Sequence, residues 1–231
     1  MIYRCRTLPA WIVTVMLAAS AGAGAPPSSV HSHHAPPVFP SPAPPFNQGG
    51  IAAWPREINR VAVLPLHDTT SSLRPKSLLE YDRIWLGQLQ RTERAEFVNL
   101  SRDRTDRWFT ATSAESTSAL PPDLFTAIAT ETGAQAVVML DIVYLPQHRA
   151  DSIGIRVKLI ELSTQRILWM ADESFDLREG LSRSTIKRFL KGQSGTGQVG
   201  NAKVALRQSP SLFAALAFDT TLRHLPPRLD H

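Results

Sequence analysis

Cysteine is nearly absent from this sequence of 231 residues, which contains only Cys5. That cysteine lies in an N-terminal segment whose pattern predicts a removable signal. The mature chain is therefore expected to contain no cysteine, which excludes disulfides, thiol catalysis and cysteine-bound metal ions from it. Such a chain suits an oxidising compartment without demonstrating one.

Signatures of catalysis are absent as well, although one glycine-rich segment, Gly192 to Asn201, invites comparison with them. A nucleophile elbow requires glycine at the position that Thr196 occupies. A phosphate-binding loop requires lysine where Gln198 follows Gly197. No paired carboxylates or metal-ligand spacing occur elsewhere, so the sequence predicts a flexible linker here, no cofactor and no enzyme.

Long apolar runs are also missing. The longest stretch near the N-terminus, from Trp11 to Ala19, is too short to span a bilayer comfortably. Arg4 and Arg6 precede it and small residues follow it, which is the layout of a secretory signal over residues 1–23. An uncleaved membrane anchor is the alternative. Cys5 precedes the run, so lipidation is not expected, and the protein is predicted to be exported, periplasmic or associated with the outer envelope.

Residues 24–55 have prolines every few positions and few charges. Proline fixes φ and removes a hydrogen-bond donor, so this composition predicts a semi-extended, disordered tether. His31, His33 and His34 could bind a metal ion, but three histidines in a flexible segment form no preorganised site. We therefore predict no metal site in the tether.

A single domain is predicted over residues 56–231, with a basic helical extension from residue 177. Its first elements are expected to be a strand over 58–66, a helix from Ser77 and a strand over 97–100. A loop over 101–118, in which one helical turn around Trp108 is an alternative, and a helix over 121–132 that Gly133 ends should follow. Ser77 and Glu80 form a capping box in the sequence, which predicts where the first helix begins.

The organising stretch of the domain is a three-stranded meander between Gly133 and Asp176. Residues 136–144 are almost continuously apolar, residues 153–160 alternate, and a third strand begins at Ile167. The two short turns require antiparallel neighbours. The order of elements predicts an α/β fold, an α+β sandwich: a mixed sheet of about five strands that ends in this meander, with helices packed on it.

Three residues in or near these strands are candidates for a functional site. His67 and Asp68 follow the first strand, where α/β proteins often place ligand-binding loops. Asp141 is the one charge inside an apolar strand, and a functional carboxylate is one interpretation. A hairpin that closes symmetrically around residues 147–150 places Asp141 opposite Arg156, which predicts a structural ion pair instead.

The C-terminal quarter, from Leu177 to His231, contains nine lysines and arginines against three acidic residues, a net charge of +6. Such a segment could contact anionic lipid, an anionic wall polymer or nucleic acid, and a solvated helix face is the ordinary alternative. Because the protein is expected to be exported, nucleic acid is not an expected partner. The last helix is predicted to begin at Ser209, with Pro210 in its first turn.

The sequence also resembles a known group of families. The segments that carry the resemblance are VAVLPLHD (61–68), LGQLQ (86–90), EFVNLSRD (96–103), TGAQAVVMLDIV (132–143) and VKLIELSTQRILWMADE (157–173). Together they resemble the bacterial envelope families built on the TolB N-terminal-like fold, which include the periplasmic domain of the curli-secretion lipoprotein CsgG and the penicillin-binding-protein activator LpoB. The resemblance covers residues 58–176, and its motifs belong to the fold.

The resemblance implies a non-enzymatic exported module that binds another protein of the cell envelope, whose identity the sequence does not give. Three departures bear on it: no lipidation motif, no long amphipathic hairpin that would build a pore, and Asp141 where such proteins often have a small residue. A pore is therefore not expected. The alternatives are a hydrolase of envelope polymers that uses His67, Asp68 or Asp141, and a basic adaptor for anionic surfaces.

Overall fold

The computed structural model describes residues 49–109, 111–121, 123–146, 151–194 and 202–229. The predicted signal, residues 1–23, and the predicted tether as far as residue 48 lie outside these ranges. So do the hairpin turn at residues 147–150 and most of the glycine-rich segment. The rest of the predicted tether belongs to the fold, since Trp54 is buried and its indole N–H donates to the carbonyl of Ile58 at 2.8 Å.

Within those ranges the chain forms seven strands and six helices. They are β1 (Gly49–Gly50), β2 (Arg60–Val63), β3 (His67–Asp68), α1 (Pro75–Gln90), β4 (Glu96–Asn99), α2 (Arg102–Phe109), α3 (Leu124–Thr132), β5 (Ala136–Tyr144), β6 (Ser152–Glu161), β7 (Ile167–Asp176), α4 (Arg183–Ser194), α5 (Ala202–Gln208) and α6 (Pro210–Leu222).

The strands form one mixed sheet in the order β1-β7-β6-β5-β2-β4, and β3 pairs with β5. Strands β2, β3, β4 and β5 pair in parallel, and β5, β6 and β7 form the antiparallel meander. The predicted fold class is therefore confirmed. The sheet has more strands than the predicted five because the two-residue strands β1 and β3 add to it, the latter after the interruption at Pro65.

The starts of α1 and α3 differ from the predictions, and α3 begins at Leu124 instead of residue 121. The capping-box prediction is wrong: α1 begins at Pro75, and no side chain caps its first turn. Proline favours a first helical position because its φ is preset and no N–H is needed there. The carboxylate of Glu80 instead accepts a hydrogen bond from Ser211 Oγ at 2.5 Å. Helix α3 ends as predicted at Gly133, whose φ is 66°.

Helices cover both faces of the sheet in its parallel part. The chain moves from β2 to β4 in one direction and from β4 back to β5 in the other, so right-handed crossovers put α1 and α3 on opposite faces. One apolar core joins the sheet to α1, α4, α5 and α6. The second core joins it to α3 and to Trp108 of α2.

Helix α6 is the central helix of the first core. It begins as predicted, with Ser209 Oγ accepting a hydrogen bond from the Leu212 N–H at 3.2 Å. Every residue from Phe213 to Phe218 is buried, because α1, α4, α5 and β7 surround the helix. The ring of Phe218 meets the edge of Trp85, with centroids 5.4 Å apart.

The meander is covered differently on its two faces. Along β7, buried side chains alternate with exposed or half-buried ones, such as Met170 and Ser174. The buried positions face α6 and the first core. The other face of β6 and β7 therefore remains accessible, and it borders the residues that the sequence proposes as a functional site.

Candidate functional site

Strand pairing brings together two of the three candidate site residues, His67 and Asp141, with Arg156, the predicted ion-pair partner of Asp141. His67 on β3 is the register partner of Asp141 on β5, and Asp141 is the register partner of Arg156 on β6. Partners in neighbouring strands point to the same face of a sheet. His67, Asp141 and Arg156 therefore share one face, while Asp68 points to the other, next to Ile142.

Asp141 is fully buried, and Ser116 binds its carboxylate. The Ser116 N–H donates to both carboxylate oxygens, at 3.1 and 3.2 Å, and Ser116 Oγ donates to Oδ2 at 2.5 Å. Burial raises the pKa of Asp141, while the Ser116 hydrogen bonds and the nearby His67 and Arg156 oppose that rise. Lys158 Nζ donates to the Ser116 carbonyl at 2.6 Å and so holds the same loop against the sheet.

The predicted ion pair between Asp141 and Arg156 is not the contact that these side chains make. Arg156 donates to Asp172 Oδ2 from Nε at 3.0 Å, and Nη2 lies 2.9 Å from the same oxygen. Asp172 is the register partner of Arg156 on the strand opposite β5. Ser116 already donates hydrogen bonds to the buried carboxylate of Asp141. The long, half-exposed side chain of Arg156 therefore pairs with Asp172, which is the more accessible of the two acids.

Asp68 orders the loop that follows β3. Its Oδ1 accepts hydrogen bonds from the Thr70 N–H at 3.0 Å and from Thr70 Oγ1 at 2.6 Å, and Oδ2 accepts one from the Leu73 N–H at 2.7 Å. Local carboxylate-to-backbone bonds of this kind stabilise turns. This arrangement is a loop cap, and it accounts for the position of Asp68 without any chemistry.

His67 contacts a different serine from the one that binds Asp141. Its Nδ1 lies 3.0 Å from Ser113 Oγ. In the described part of the chain, no hydrogen bond joins the His67 ring to a carboxylate, so a chain of nucleophile, base and orienting acid is not assembled. The same residues contain no group of three side chains placed to hold a metal ion.

The crevice where α/β folds often bind ligands is filled by an ion pair. The chain leaves β2 towards one face and β4 towards the other, so this crevice lies between the C-terminal ends of the two strands. There Arg102 Nε donates to Asp82 Oδ2 at 2.8 Å, with side chains only 13% and 15% exposed. The Leu66 N–H donates to Asp82, and the Leu66 carbonyl accepts from Arg102, each at 2.9 Å.

Burial raises the pKa of Asp82, although Arg102 and the Leu66 N–H favour its charged form. Sequence reasoning did not find this pair. The position of Arg102, directly after the second strand, was the available signal for it. Ser116 carries no comparable signal, because it lies in a loop without periodicity.

The accessible face of β5, β6 and β7, which we call the open face, carries large apolar side chains. Tyr144 is 54% exposed, Ile167 44% and Met170 37%. Register places all three on the side of Arg156, since they pair with Gly154, Ile160 and Lys158 respectively. A Cβ at Gly154 would lie 2.9 Å from Tyr144 Cβ, which is too close. The absence of a side chain at Gly154 on β6 therefore leaves room for Tyr144 on the neighbouring strand β5. Lys158, Arg156 and Asp172 supply charge among these apolar groups.

No family model matches the sequence, and no curated protein matches it. Solved structures do match. A PelC dodecamer from Paraburkholderia phytofirmans is 13% identical over 74% of this chain and 94% of that chain, with a TM-score of 0.39. Lipoprotein GNA1162 from Neisseria meningitidis is 9% identical over 61% and 99%, with a TM-score of 0.37. The LpoB C-terminal domain from Escherichia coli is 16% identical over 55% and 87%, with a TM-score of 0.34.

The likeness is one of fold alone. The sequence motifs resemble those of LpoB, and LpoB is among the matching structures. The motifs did not point to PelC or to lipoprotein GNA1162, which also match. The matches assign neither a partner nor an activity to this chain. In the described ranges, no helix has both the length and the apolar character needed to cross a bilayer.

Proposed function

We propose that this protein is an exported, non-enzymatic module of the bacterial cell envelope that binds another envelope protein through the open face. The proposal includes the predicted signal and tether, which would export the domain and give it reach. A second contact, between the basic C-terminal quarter and an anionic surface, belongs to the same proposal.

The observation that carries the proposal is the composition of the open face. Tyr144, Ile167 and Met170 are large apolar side chains left in water on one side of three paired strands. Protein interfaces are enriched in tyrosine, methionine and arginine, and a few such anchors supply most of the binding energy. The ion pair between Arg156 and Asp172, with side chains 29% and 44% exposed, adds directional polar contacts to the same face.

The contacts of the other candidates favour binding over hydrolysis. A hydrolase of envelope polymers would need an accessible acid, base or nucleophile next to a cleft. Ser116 occupies the carboxylate of Asp141, and backbone N–H groups occupy that of Asp68. The ion pair between Asp82 and Arg102 fills the crevice between β2 and β4. These contacts give the polar residues a structural role.

Position-specific photocrosslinking in intact cells tests the proposal. A benzophenone amino acid replaces Tyr144 or Met170 in the full chain, and as a matched control it replaces Leu79, which is 49% exposed on α1. We expect one discrete protein adduct from the two open-face positions and none from Leu79. Equal adducts from all three positions, or adducts from Leu79 alone, would contradict the proposed face.

The hydrolase alternative makes a different demand. Purified full chain incubated with isolated envelope polymer should release no soluble fragments beyond those released by a His67→Gln variant. A release that depends on His67, and that also disappears in Asp141→Asn, would establish the enzyme in place of the binding module.

A further inference from the structure

Helix α4 presents four cations to solvent. Its apolar residues Ile186 and Phe189 are buried against the first core. All of its basic side chains are exposed; they are Arg183, Lys187, Arg188 and Lys191. An α-helix turns 100° per residue, so Lys187, Arg188 and Lys191 lie on the side opposite the buried pair, and Arg183 lies on the flank next to them.

The cations are spaced to meet a plane. Arg183, Lys187 and Lys191 follow one another at intervals of four residues, which places them in a row about 12 Å long. The row lies on the convex surface of a helix. Sites for small anions are concave instead, with several hydrogen-bond donors pointing towards one place. All four charges can therefore touch a flat anionic surface at the same time.

No acidic side chain of this region balances the row. Residues 180–218 contain no aspartate or glutamate. Among the ion pairs between described residues, none includes a lysine or arginine of α4 or α5. Neighbouring like charges repel each other, so the row favours an external anion.

Helix α5 extends the charge. It packs against α4 and exposes Lys203 and Arg207, with Val204 between them at 45% exposure. An exposed valine beside two cations suits the boundary between lipid headgroups and acyl chains. No exposed side chain of the described parts of α4 and α5 is aromatic, so neither helix offers the stacking platform typical of proteins that bind single-stranded nucleic acids.

We propose that the exposed cations of α4 and α5 bind the anionic headgroups of a lipid bilayer. This inference rests on the export that the proposed function includes, and it is independent of the open face. Each cation close to an anionic bilayer strengthens binding by roughly fivefold, so the four cations of α4 together contribute about 600-fold.

Vesicle sedimentation of the full chain tests the inference. The anionic vesicles contain equal parts of phosphatidylglycerol and phosphatidylcholine, and the neutral ones contain phosphatidylcholine alone. We expect strong preference for the anionic vesicles, and we expect it to weaken as salt rises. The same full-length protein is compared on two kinds of vesicle that differ in headgroup charge. Binding through the apolar N-terminal run, residues 11–19, does not depend on that charge and therefore cancels in the comparison.

Two variants with the same change in net charge locate the contact. The first changes Arg183, Lys187, Arg188 and Lys191 to glutamine and should lose most of the preference for anionic vesicles. The control changes four cations that are exposed elsewhere, namely Arg74, Lys76, Arg83 and Arg107, and should keep it. Equal loss in the two variants would overturn the inference, because net charge alone would then explain binding.

Further outcomes separate the possible sources of anionic charge. Binding to soluble polyphosphate without preference for anionic vesicles would assign the row to a polymer and overturn the lipid proposal. No preference for anionic vesicles and no polyphosphate binding would leave α4 as a solvated face. The α4 variant should keep the crosslink from Met170. If no crosslink forms from Met170 even when the α4 cations are unchanged, while the preference for anionic vesicles is intact, the proposed partner face is rejected and the lipid contact stands.

Discussion

The two halves of the sheet use the same kind of ion pair in different surroundings. In the parallel half, formed by β2, β3 and β4, Asp82 and Arg102 pair with side chains 15% and 13% exposed, and they fill a crevice. In the antiparallel half, formed by β6 and β7, Arg156 and Asp172 pair with side chains 29% and 44% exposed on the open face. The parallel half is closed by helices on both sides, whereas the antiparallel half is closed on one.

The difference indicates a division of labour. Charged groups in the closed half hold loops and strands in place, since backbone groups and a partner charge satisfy them. Charged groups in the open half lie beside exposed apolar side chains and remain available to a partner. If this division is correct, substitutions should affect stability in the closed regions and binding in the open one.

The largest expected effect comes from Phe218→Ala in the closed core. Phe218 is fully buried against Tyr81 and Trp85, so truncation should cost about 3–5 kcal/mol of unfolding free energy. Met170→Ala on the open face should cost about 0.5 kcal/mol or less. Urea unfolding of both variants measures the contrast. Comparable losses would mean that a part of the protein itself covers the open face.

The second contrast concerns the two ion pairs. Arg102→Met leaves the mostly buried Asp82 without its cation and should cost about 3 kcal/mol. Arg156→Met breaks a more exposed pair and should cost less than about 1 kcal/mol. Urea midpoints at neutral pH measure both values.

A rescue variant controls the second contrast. Adding Asp82→Leu to Arg102→Met removes the unpaired charge and should recover part of the lost stability. If the rescue variant is no more stable than Arg102→Met alone, the loss comes from packing, and the two halves do not differ in the way described.

The meander could be predicted from sequence because its signals are local. Alternation and short turns fix antiparallel neighbours, and the predicted register of Asp141 opposite Arg156 is observed. Helix α6 was likewise predicted from its cap at Ser209 and the following proline. Strands β1 and β3 were missed because two residues carry no periodicity, and the start of α1 was misplaced because Pro75 sufficed without a side-chain cap.

The polar contacts of the site could not be predicted because they join residues far apart in the chain. Ser116 reaches Asp141 from a loop 25 residues away, and Arg102 reaches Asp82 across 20 residues. No spacing rule relates such positions. The sequence identified His67, Asp68 and Asp141 as unusual residues, and only the fold shows what each of them contacts.

A third prediction tests which partner Asp141 has. A double-mutant cycle of Asp141→Asn with Ser116→Ala should give a coupling of about 1–2 kcal/mol, because the two side chains share a buried hydrogen bond. The cycle of Asp141→Asn with Arg156→Gln should be additive within about 0.5 kcal/mol, because Arg156 binds Asp172 instead. Stronger coupling to Arg156 than to Ser116 would restore the ion pair expected from sequence.

The smallest effect is a difference in pH dependence between two carboxyl groups: Asp141, which is fully buried beneath Ser116, and Glu115, which precedes Ser116 in the loop and is more accessible. Burial raises the pKa of Asp141 above 3.8, so the folded state binds this proton more tightly than the unfolded state. Stability relative to Asp141→Asn should be greatest below pH 3.8 and should fall as the pH rises through the folded pKa.

Glu115 should behave in the opposite way. Hydrogen bonds from Thr117 and Ser118 lower the pKa of this exposed carboxyl below 4.5. Stability relative to Glu115→Gln should therefore be present above pH 4.5 and be lost as the pH falls through the folded pKa. Urea unfolding of the protein and both variants across this acidic range measures the two slopes. Slopes of the same sign would contradict the burial of Asp141 beneath Ser116, since an accessible carboxylate with these serine bonds should titrate as Glu115 does.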